Sequence, residues 1–197
     1  MKRSHLALNS VALVALASLG FLSCADPVVS DAVSAQGNET SGIAKGEFHR
    51  AGQPCLVCHQ EGGPASNFPY TVAGTVFAQP KRQVGVEKVE IRMTDSDGTK
   101  FTAKTNCVGN FKVTAAEWSP KFPILVEIAK NNVRRSMRSP IGRNGSCAGC
   151  HSTENDPPDP LSQLGHVYLF ATDEPGSPDG AADCGGGTID PKRAGTP

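Results

Sequence analysis

Two copies of one pentapeptide pattern constrain this chain more than any other feature of its sequence. The segments Cys55–His59 (CLVCH) and Cys147–His151 (CAGCH) both follow the pattern C-x-x-C-H, in a chain with seven cysteines and five histidines. Each copy brings two thiols and one imidazole together within five residues. The fold must therefore accommodate two short segments that are each rich in groups able to hold a ligand.

The C-x-x-C-H pattern is the attachment sequence of c-type haem, so the two segments predict two covalently bound haem c groups. At this spacing both thiols of a pair reach the vinyl groups of one porphyrin, and the histidine that follows becomes the proximal iron ligand. The expected attachment residues are Cys55, Cys58, Cys147 and Cys150, and the expected proximal ligands are His59 and His151.

Other uses of paired cysteines remain open alternatives. Two Cys-x-x-Cys pairs form zinc sites in some proteins, and a single pair forms a disulfide or a redox dithiol in others. A zinc ribbon places its second pair about 15–20 residues after the first, whereas the second pair here begins far along the chain, at Cys147. Neither a zinc site nor a thiol site requires a histidine directly after both pairs.

The N-terminus predicts export. Lys2 and Arg3 precede an almost wholly apolar stretch that is too short for a typical membrane span, which indicates a signal peptide over residues 1–23. The sequence around Cys24 resembles a bacterial lipobox, although Phe21 stands where that motif prefers leucine. The resemblance implies a lipidated Cys24 and attachment to the membrane by a lipid anchor. The alternative is ordinary cleavage nearby, which would leave Cys24 free or disulfide-bonded.

The export prediction has consequences for location and for the remaining cysteines. Inner-membrane lipoproteins often carry an aspartate directly after the lipidated cysteine, whereas this chain has Ala25 there. This favours an outer-membrane lipoprotein that faces the periplasm or the cell surface. Disulfides form in such compartments. Once the lipidated and haem-binding cysteines are assigned, Cys107 and Cys184 are left. We expect them to form one disulfide, with two unpaired cysteines as the alternative.

Composition divides the rest of the chain. Residues 24–46 are small and polar and predict a flexible tether, residues 47–171 predict one folded domain, and residues 172–197 predict an irregular Gly/Pro-rich tail. The chain has 19 basic and 19 acidic residues, and loss of Lys2 and Arg3 with the signal peptide leaves it slightly acidic. This balance gives no reason to propose nucleic acid as a partner.

Hydrophobic alternation predicts a mainly β domain. Strands are expected over 71–77, 86–94, 100–105, 110–113, 124–129, 133–138 and 166–170. Turns are expected at 95–98, where Gly98 supplies a positive φ, and at Asn131-Asn132. No long amphipathic helix is predicted. Regular strands joined by short turns indicate an Ig-like sandwich with haem-binding loops on either side of it.

Part of this region resembles a known family. Residues 72–76 (VAGTV), the strand that ends in the turn at Asp97-Gly98, and residues 105–111 (TNCVGNF) are similar to carboxypeptidase-regulatory or transthyretin-like β-sandwiches. The likeness covers about residues 70–130. It implies a scaffold or binding fold and says little about the task of the protein.

Two further histidines, His49 and His166, would complete bis-histidine ligation of two irons. Whether each serves its own haem or the other one stays open at this point. Met137 is the alternative axial ligand, and an open sixth position is the third option. Four arginines near the second motif are candidates for pairing with haem propionates: Arg134, Arg135, Arg138 and Arg143.

These features predict one-electron transfer outside the cytoplasm by a tethered di-haem cytochrome that works with redox partner proteins. We expect an electron carrier rather than an enzyme, with no catalytic residues. One alternative is a haem enzyme with an open axial site that reduces peroxide or a nitrogen oxide. The other is a non-redox β-sandwich binding module whose cysteine pairs are zinc sites or disulfides.

Overall fold

The computed structural model describes residues 26–39, 43, 45–80, 82–153, 164–171, 182–184 and 188–189. The predicted signal peptide and Cys24 lie outside these residues, as does most of the predicted C-terminal tail. The strands are β1 (Val72–Gln79), β2 (Arg82–Gly85), β3 (Glu90–Thr94), β4 (Lys100–Lys104), β5 (Asn110–Val113), β6 (Leu125–Lys130), β7 (Val133–Ser136), β8 (Gly145–Ser146), β9 (His151–Thr153), β10 (Leu164–Gly165), β11 (Val167–Tyr168), β12 (Ala182–Asp183) and β13 (Thr188–Ile189). Helix α1 spans Pro27–Ser34, and two 3₁₀ turns span Cys55–Val57 and Cys147–Gly149.

The protein is mainly β, as the alternation predicts, and its strands form two principal sheets consistent with a sandwich. One sheet is antiparallel throughout, in the order β4-β3-β6-β7. The other is built around β1, which pairs with β5 and β8 along its first half and with β2 and β11 along its second half. Strand β1 thus pairs with four other strands of this sheet.

A single apolar cluster contains residues of both sheets. Val72 and Val76 of β1 belong to it together with Ile91 and Met93 of β3 and Phe111 of β5. The predicted alternation of β3 is confirmed, because Ile91 and Met93 are buried while Glu90 and Arg92 are only partly covered. Burial of aliphatic side chains of this size contributes about 1.5–3 kcal/mol each to folding.

Strand β1 is covered on both faces, because all eight of its residues are buried. Its second face is covered by the segment that precedes and includes the first motif. Ala51 packs on Phe77 there, and the Gly52 amide donates a hydrogen bond of 2.8 Å to Thr75 Oγ1. The two predicted haem-binding loops are therefore packed onto the central strand of the fold.

The strand predicted over 86–94 is shorter than expected and begins only at Glu90. Lys88 has φ 59°, a left-handed conformation that interrupts an extended strand. Thr105 holds this turn, since its hydroxyl donates to the Val86 carbonyl and accepts from the Val89 amide. The turns predicted at Gly98 (φ 81°) and Asn131 (φ 52°) are confirmed.

Part of the predicted tether is more regular than expected. Helix α1 begins after Asp26, whose carboxylate accepts a 2.9 Å hydrogen bond from the Val28 amide, the usual role of an N-cap. The chain after the helix contacts the domain, because Arg50 pairs with Glu39 at 3.1 Å and donates to the Gln36 carbonyl. Within the described part of the chain, no helix is long and apolar enough to cross a membrane.

Candidate functional site

The two C-x-x-C-H segments adopt the same local conformation. In the first, the Cys58 amide donates to the Cys55 carbonyl at 3.2 Å, and in the second the Cys150 amide donates to the Cys147 carbonyl at 3.2 Å. Both are 3₁₀ turns, in which side chains three residues apart lie on the same side. The two thiols of each pair are therefore on one side of their turn, as attachment to one flat group requires.

The four motif cysteines are free thiols, whereas Cys107 and Cys184 form a disulfide. Burial raises the pKa of Cys55 to about 11 and that of Cys147 to about 12. A redox dithiol instead needs a thiolate at neutral pH, which means a lowered pKa. The raised pKa of Cys55 and of Cys147 is the opposite of the shift that a reactive dithiol needs.

Both motif histidines are oriented by a backbone carbonyl. His59 Nδ1 lies 2.8 Å from the Phe68 carbonyl oxygen, and His151 Nδ1 lies 2.9 Å from the Gly165 carbonyl oxygen. Because a carbonyl only accepts, each Nδ1 carries the proton and donates it, which leaves the lone pair on Nε2. This is the arrangement in which histidines bind metals, with the second nitrogen fixing the tautomer and the ring orientation.

The second motif opens into a large apolar cavity of about 740 Å³. This volume lies within the range of about 300–1,000 Å³ that is usual for small-molecule and cofactor sites. The lining includes the second motif itself and both candidates for the opposite axial position, His166 and Met137. His166 is buried and its ring stacks on Phe77, with the ring centroids 4.9 Å apart. The cavity thus holds both predicted alternatives close to His151.

Two of the four candidate arginines, Arg135 and Arg143, line this same cavity. Both are exposed, so their guanidinium groups are at its solvent side. Arg134, in β7, instead acts on Glu90 of β3, two strands away, whose pKa is lowered mainly by a hydrogen bond from Arg92 and to a smaller extent by the charge of Arg134. The structure therefore favours Arg135 and Arg143 for contact with acidic groups of a bound cofactor.

The first motif lines a smaller cavity of about 250 Å³ that also contains His49. The ring centroids of His49 and His59 are 6.0 Å apart. Imidazole binds metal ions at about 2 Å, and the ring centre lies about 1 Å further away, so two imidazoles on opposite faces of one ion have centroids about 6 Å apart. The distance between the centroids matches that of an axial pair, while the two rings are stacked with an angle of 29° between their planes. The cavity is below the usual size, so a cofactor held here would extend past its rim.

His49 differs from the motif histidines in its hydrogen bond. Its Nδ1 accepts from the Gly46 amide at 3.1 Å, which puts the proton of the neutral ring on Nε2. Binding of a metal through Nε2 would require this proton to move and the Gly46 contact to be released. Burial is the main cause that lowers the pKa of His49, which favours the neutral ring that metals need.

The two sites are neighbours in the fold. Phe111 of β5 lines both cavities. Cys147 packs on Gly74 in the middle of β1, and the charge of Cys55 adds to the effect of burial in raising the pKa of Cys147. Two cofactors attached at these positions would therefore lie close together.

One aromatic contact was not anticipated from the sequence. The ring of Tyr70 stacks on His59 with centroids 4.1 Å apart and an angle of 15° between the planes, and the Lys112 ammonium lies 5.4 Å from the Tyr70 ring centre. Tyr70 lies just before β1, after the first motif. A single sequence gives no signal for this stacking.

The donor set fits haem. A haem iron takes four ligands from the porphyrin and needs only one or two protein side chains. Among the described residues, no group of three or more His, Cys, Asp or Glu side chains is placed to hold a metal ion. What each site does offer is two adjacent thiols, one imidazole with a preset tautomer and a second imidazole in the same cavity.

Comparison with known proteins gives no relative: no family model, curated protein or solved structure matches this chain.

Proposed function

We propose that this protein is an extracytoplasmic di-haem c-type cytochrome that transfers single electrons between redox partner proteins. In this proposal the chain is exported and is held at the outer membrane by a lipid on Cys24. Haem, when bound, supplies the one-electron chemistry of its iron. The protein residues attach the group, hold the imidazoles in place and limit the access of water.

One observation supports this proposal above all others. Two segments far apart in the chain share a motif, a 3₁₀ turn and a histidine whose Nδ1 faces a backbone carbonyl at 2.8 or 2.9 Å. A sequence coincidence would not explain why both rings leave Nε2 available. Each ring also shares a cavity with a second histidine, His49 or His166.

The surroundings of the sites fit a carrier role. The larger cavity is lined mainly by apolar groups such as Val76, Ile91 and Phe111, which exclude water from a bound macrocycle. Arg135 and Arg143 at its solvent side would pair with propionates, because the planar guanidinium matches a carboxylate. A second axial imidazole at each iron would leave no position open for a substrate.

Counting covalent haem tests the proposal. The full-length protein is produced in a bacterium with a c-type maturation system, and intact mass and a reduced-minus-oxidised spectrum are measured. We expect two haems on the natural protein and one on each double variant, Cys55→Ala/Cys58→Ala and Cys147→Ala/Cys150→Ala. The matched control, Cys107→Ala/Cys184→Ala, also loses two sulfur atoms but should keep both haems.

The outcomes separate the alternatives. A natural protein with no added haem mass, or with zinc bound in stoichiometric amount, would overturn the proposal and favour the non-redox module. Carbon monoxide added to the reduced protein distinguishes carrier from enzyme, because six-coordinate haem resists it and an open axial site binds it. The anchor is tested separately by Cys24→Ser, which should move the protein from the membrane fraction to the soluble fraction.

A further inference from the structure

We propose that Asn106 and Asn110 are positioning residues that hold His49 in place as the second axial ligand of the first haem. This inference rests on the proposed function and adds to it the way in which the ligand is held. Neither asparagine belongs to a C-x-x-C-H motif: Asn106 lies in the turn before β5, and Asn110 is the first residue of β5.

Both side-chain amides donate hydrogen bonds to the backbone around His49. Asn110 Nδ2 donates to the His49 carbonyl at 3.1 Å and to the Glu47 carbonyl at 3.2 Å. Asn106 Nδ2 donates to the same Glu47 carbonyl at 2.7 Å. Three hydrogen bonds therefore fix a short segment that contains the candidate ligand, and all three reach the backbone rather than the imidazole.

The direction of these amides is set by the rest of the network. Asn110 Oδ1 accepts from Thr75 Oγ1 at 2.7 Å, and Thr75 is a buried residue of β1. Asn106 Oδ1 accepts from the amides of Val108 and Asn110 at 3.1 and 3.0 Å. With each oxygen engaged inside the fold, each NH₂ group has to point toward the segment 47–49.

The segment needs such support because the chain turns sharply just after His49. Arg50 has φ 50°, a left-handed conformation that is strained for a residue with a side chain. Gly52, at φ 85°, takes a positive value without that cost. Hydrogen bonds to the His49 and Glu47 carbonyls offset this strain and keep the histidine at the edge of the cavity that it shares with His59.

The test removes the donated hydrogen bonds while keeping the accepted ones. In the variant Asn106→Asp/Asn110→Asp both Oδ1 acceptors remain, and the NH₂ groups are replaced by carboxylate oxygens that repel the two carbonyls. His49→Ala is the reference for complete loss of the ligand. Asn131→Asp/Asn132→Asp, at the exposed turn between β6 and β7, is the matched control for the chemical change and its two added charges.

Each protein is matured with haem, its haem content is measured by mass, and carbon monoxide binding to the reduced form is titrated. We expect two haems in every variant. We also expect carbon monoxide to bind at one haem in His49→Ala and in the asparagine variant, but at neither haem in the control. Loss of a partner that orients a ligand typically lowers metal affinity by about 10–100-fold, so the asparagine variant should bind carbon monoxide more weakly than His49→Ala.

Three results would overturn the inference. The first is an asparagine variant with two haems that excludes carbon monoxide as the natural protein does. The second is a variant that loses covalent haem, since this would assign the asparagines to attachment. The third is a difference in carbon monoxide binding between His49→Ala alone and His49→Ala combined with the two asparagine substitutions, because the asparagines are proposed to act only through His49. If the double variant does not fold, Asn106→Asp alone, which removes one hydrogen bond, gives the same comparison. A natural protein without haem refutes the proposed function itself, which the mass measurement shows independently.

Discussion

Substitution of Gly74 by alanine should prevent attachment of the second haem while leaving the first in place. Gly74 lies in the middle of β1, directly beneath the side chain of Cys147. A Cβ atom at this position would lie 2.6 Å from Cys147 Cβ and 2.8 Å from its sulfur. The added methyl group would therefore occupy the place of a side chain that the second attachment requires.

The expected magnitude follows from these distances. Carbon atoms in contact are about 3.5–4.0 Å apart, so Cys147 has to move by about 1 Å. The new atom is also crowded by the ring of Phe111, which lies 3.2 Å from it, so a shift of β1 does not easily relieve the clash. Overpacking of this kind destabilises a fold by about 1–3 kcal/mol. A displacement of about 1 Å also exceeds what a covalent attachment site tolerates.

The assay is intact mass for the number of haems, followed by denaturant unfolding for the free energy of unfolding. Gly142→Ala is the matched control, because it lies beside the same cavity and its new Cβ would meet nothing within 4 Å. The control also measures the increase of about 0.4–1 kcal/mol in the free energy of unfolding that alanine gives by restricting the unfolded chain. A Gly74→Ala protein with two haems and the stability of Gly142→Ala would refute the reasoning.

Three further predictions, made with four variants, test other parts of the structure. His166→Ala should let carbon monoxide bind the second haem, because the buried His166 ring is stacked in place as the expected axial ligand. Met137→Ala should not. The reverse result would identify Met137 as the axial ligand. Cys107→Ser should lower the free energy of unfolding by about 2–5 kcal/mol in a denaturant titration, since it breaks a bridge across 77 residues. An unchanged midpoint would mean that the bridge adds no stability. Ile91→Ala should cost about 2–5 kcal/mol in the same titration, and a loss below 1 kcal/mol would contradict its place in the centre of the core.

Much of the fold was predictable from local patterns. The alternation of Ile91 and Met93 with charged residues predicts the inward face of β3, and the turn residues Gly98 and Asn131 mark two hairpins that the structure contains. These predictions succeed because side-chain period and turn conformation are properties of a few adjacent residues. The strand expected over 86–94 failed because Thr105, from another part of the chain, stabilises a bend at Lys88.

The helix at Pro27–Ser34 was missed for a related reason. The stretch 24–46 around it is rich in small residues and has no helical pattern, so composition predicts a tether, and the capping role of Asp26 depends on one side-chain hydrogen bond. The burial of both faces of β1 was also beyond sequence patterns. It results from the segment around Ala51 folding back over Phe77, a contact between residues that are distant in the sequence.

The amino-acid sequence by itself indicated which groups would attach and ligate a cofactor, because two thiols and an imidazole within five residues form a local unit. It also left Cys107 and Cys184 as the pair available for a bridge. Only the folded protein decided that His49 shares a cavity with His59, that His166 and Met137 share one with His151, and that Phe111 lies between the two. These placements depend on the pairing of β1 with β5, β8 and β11, and such long-range pairing is set by the packing of the whole sandwich rather than by any one segment.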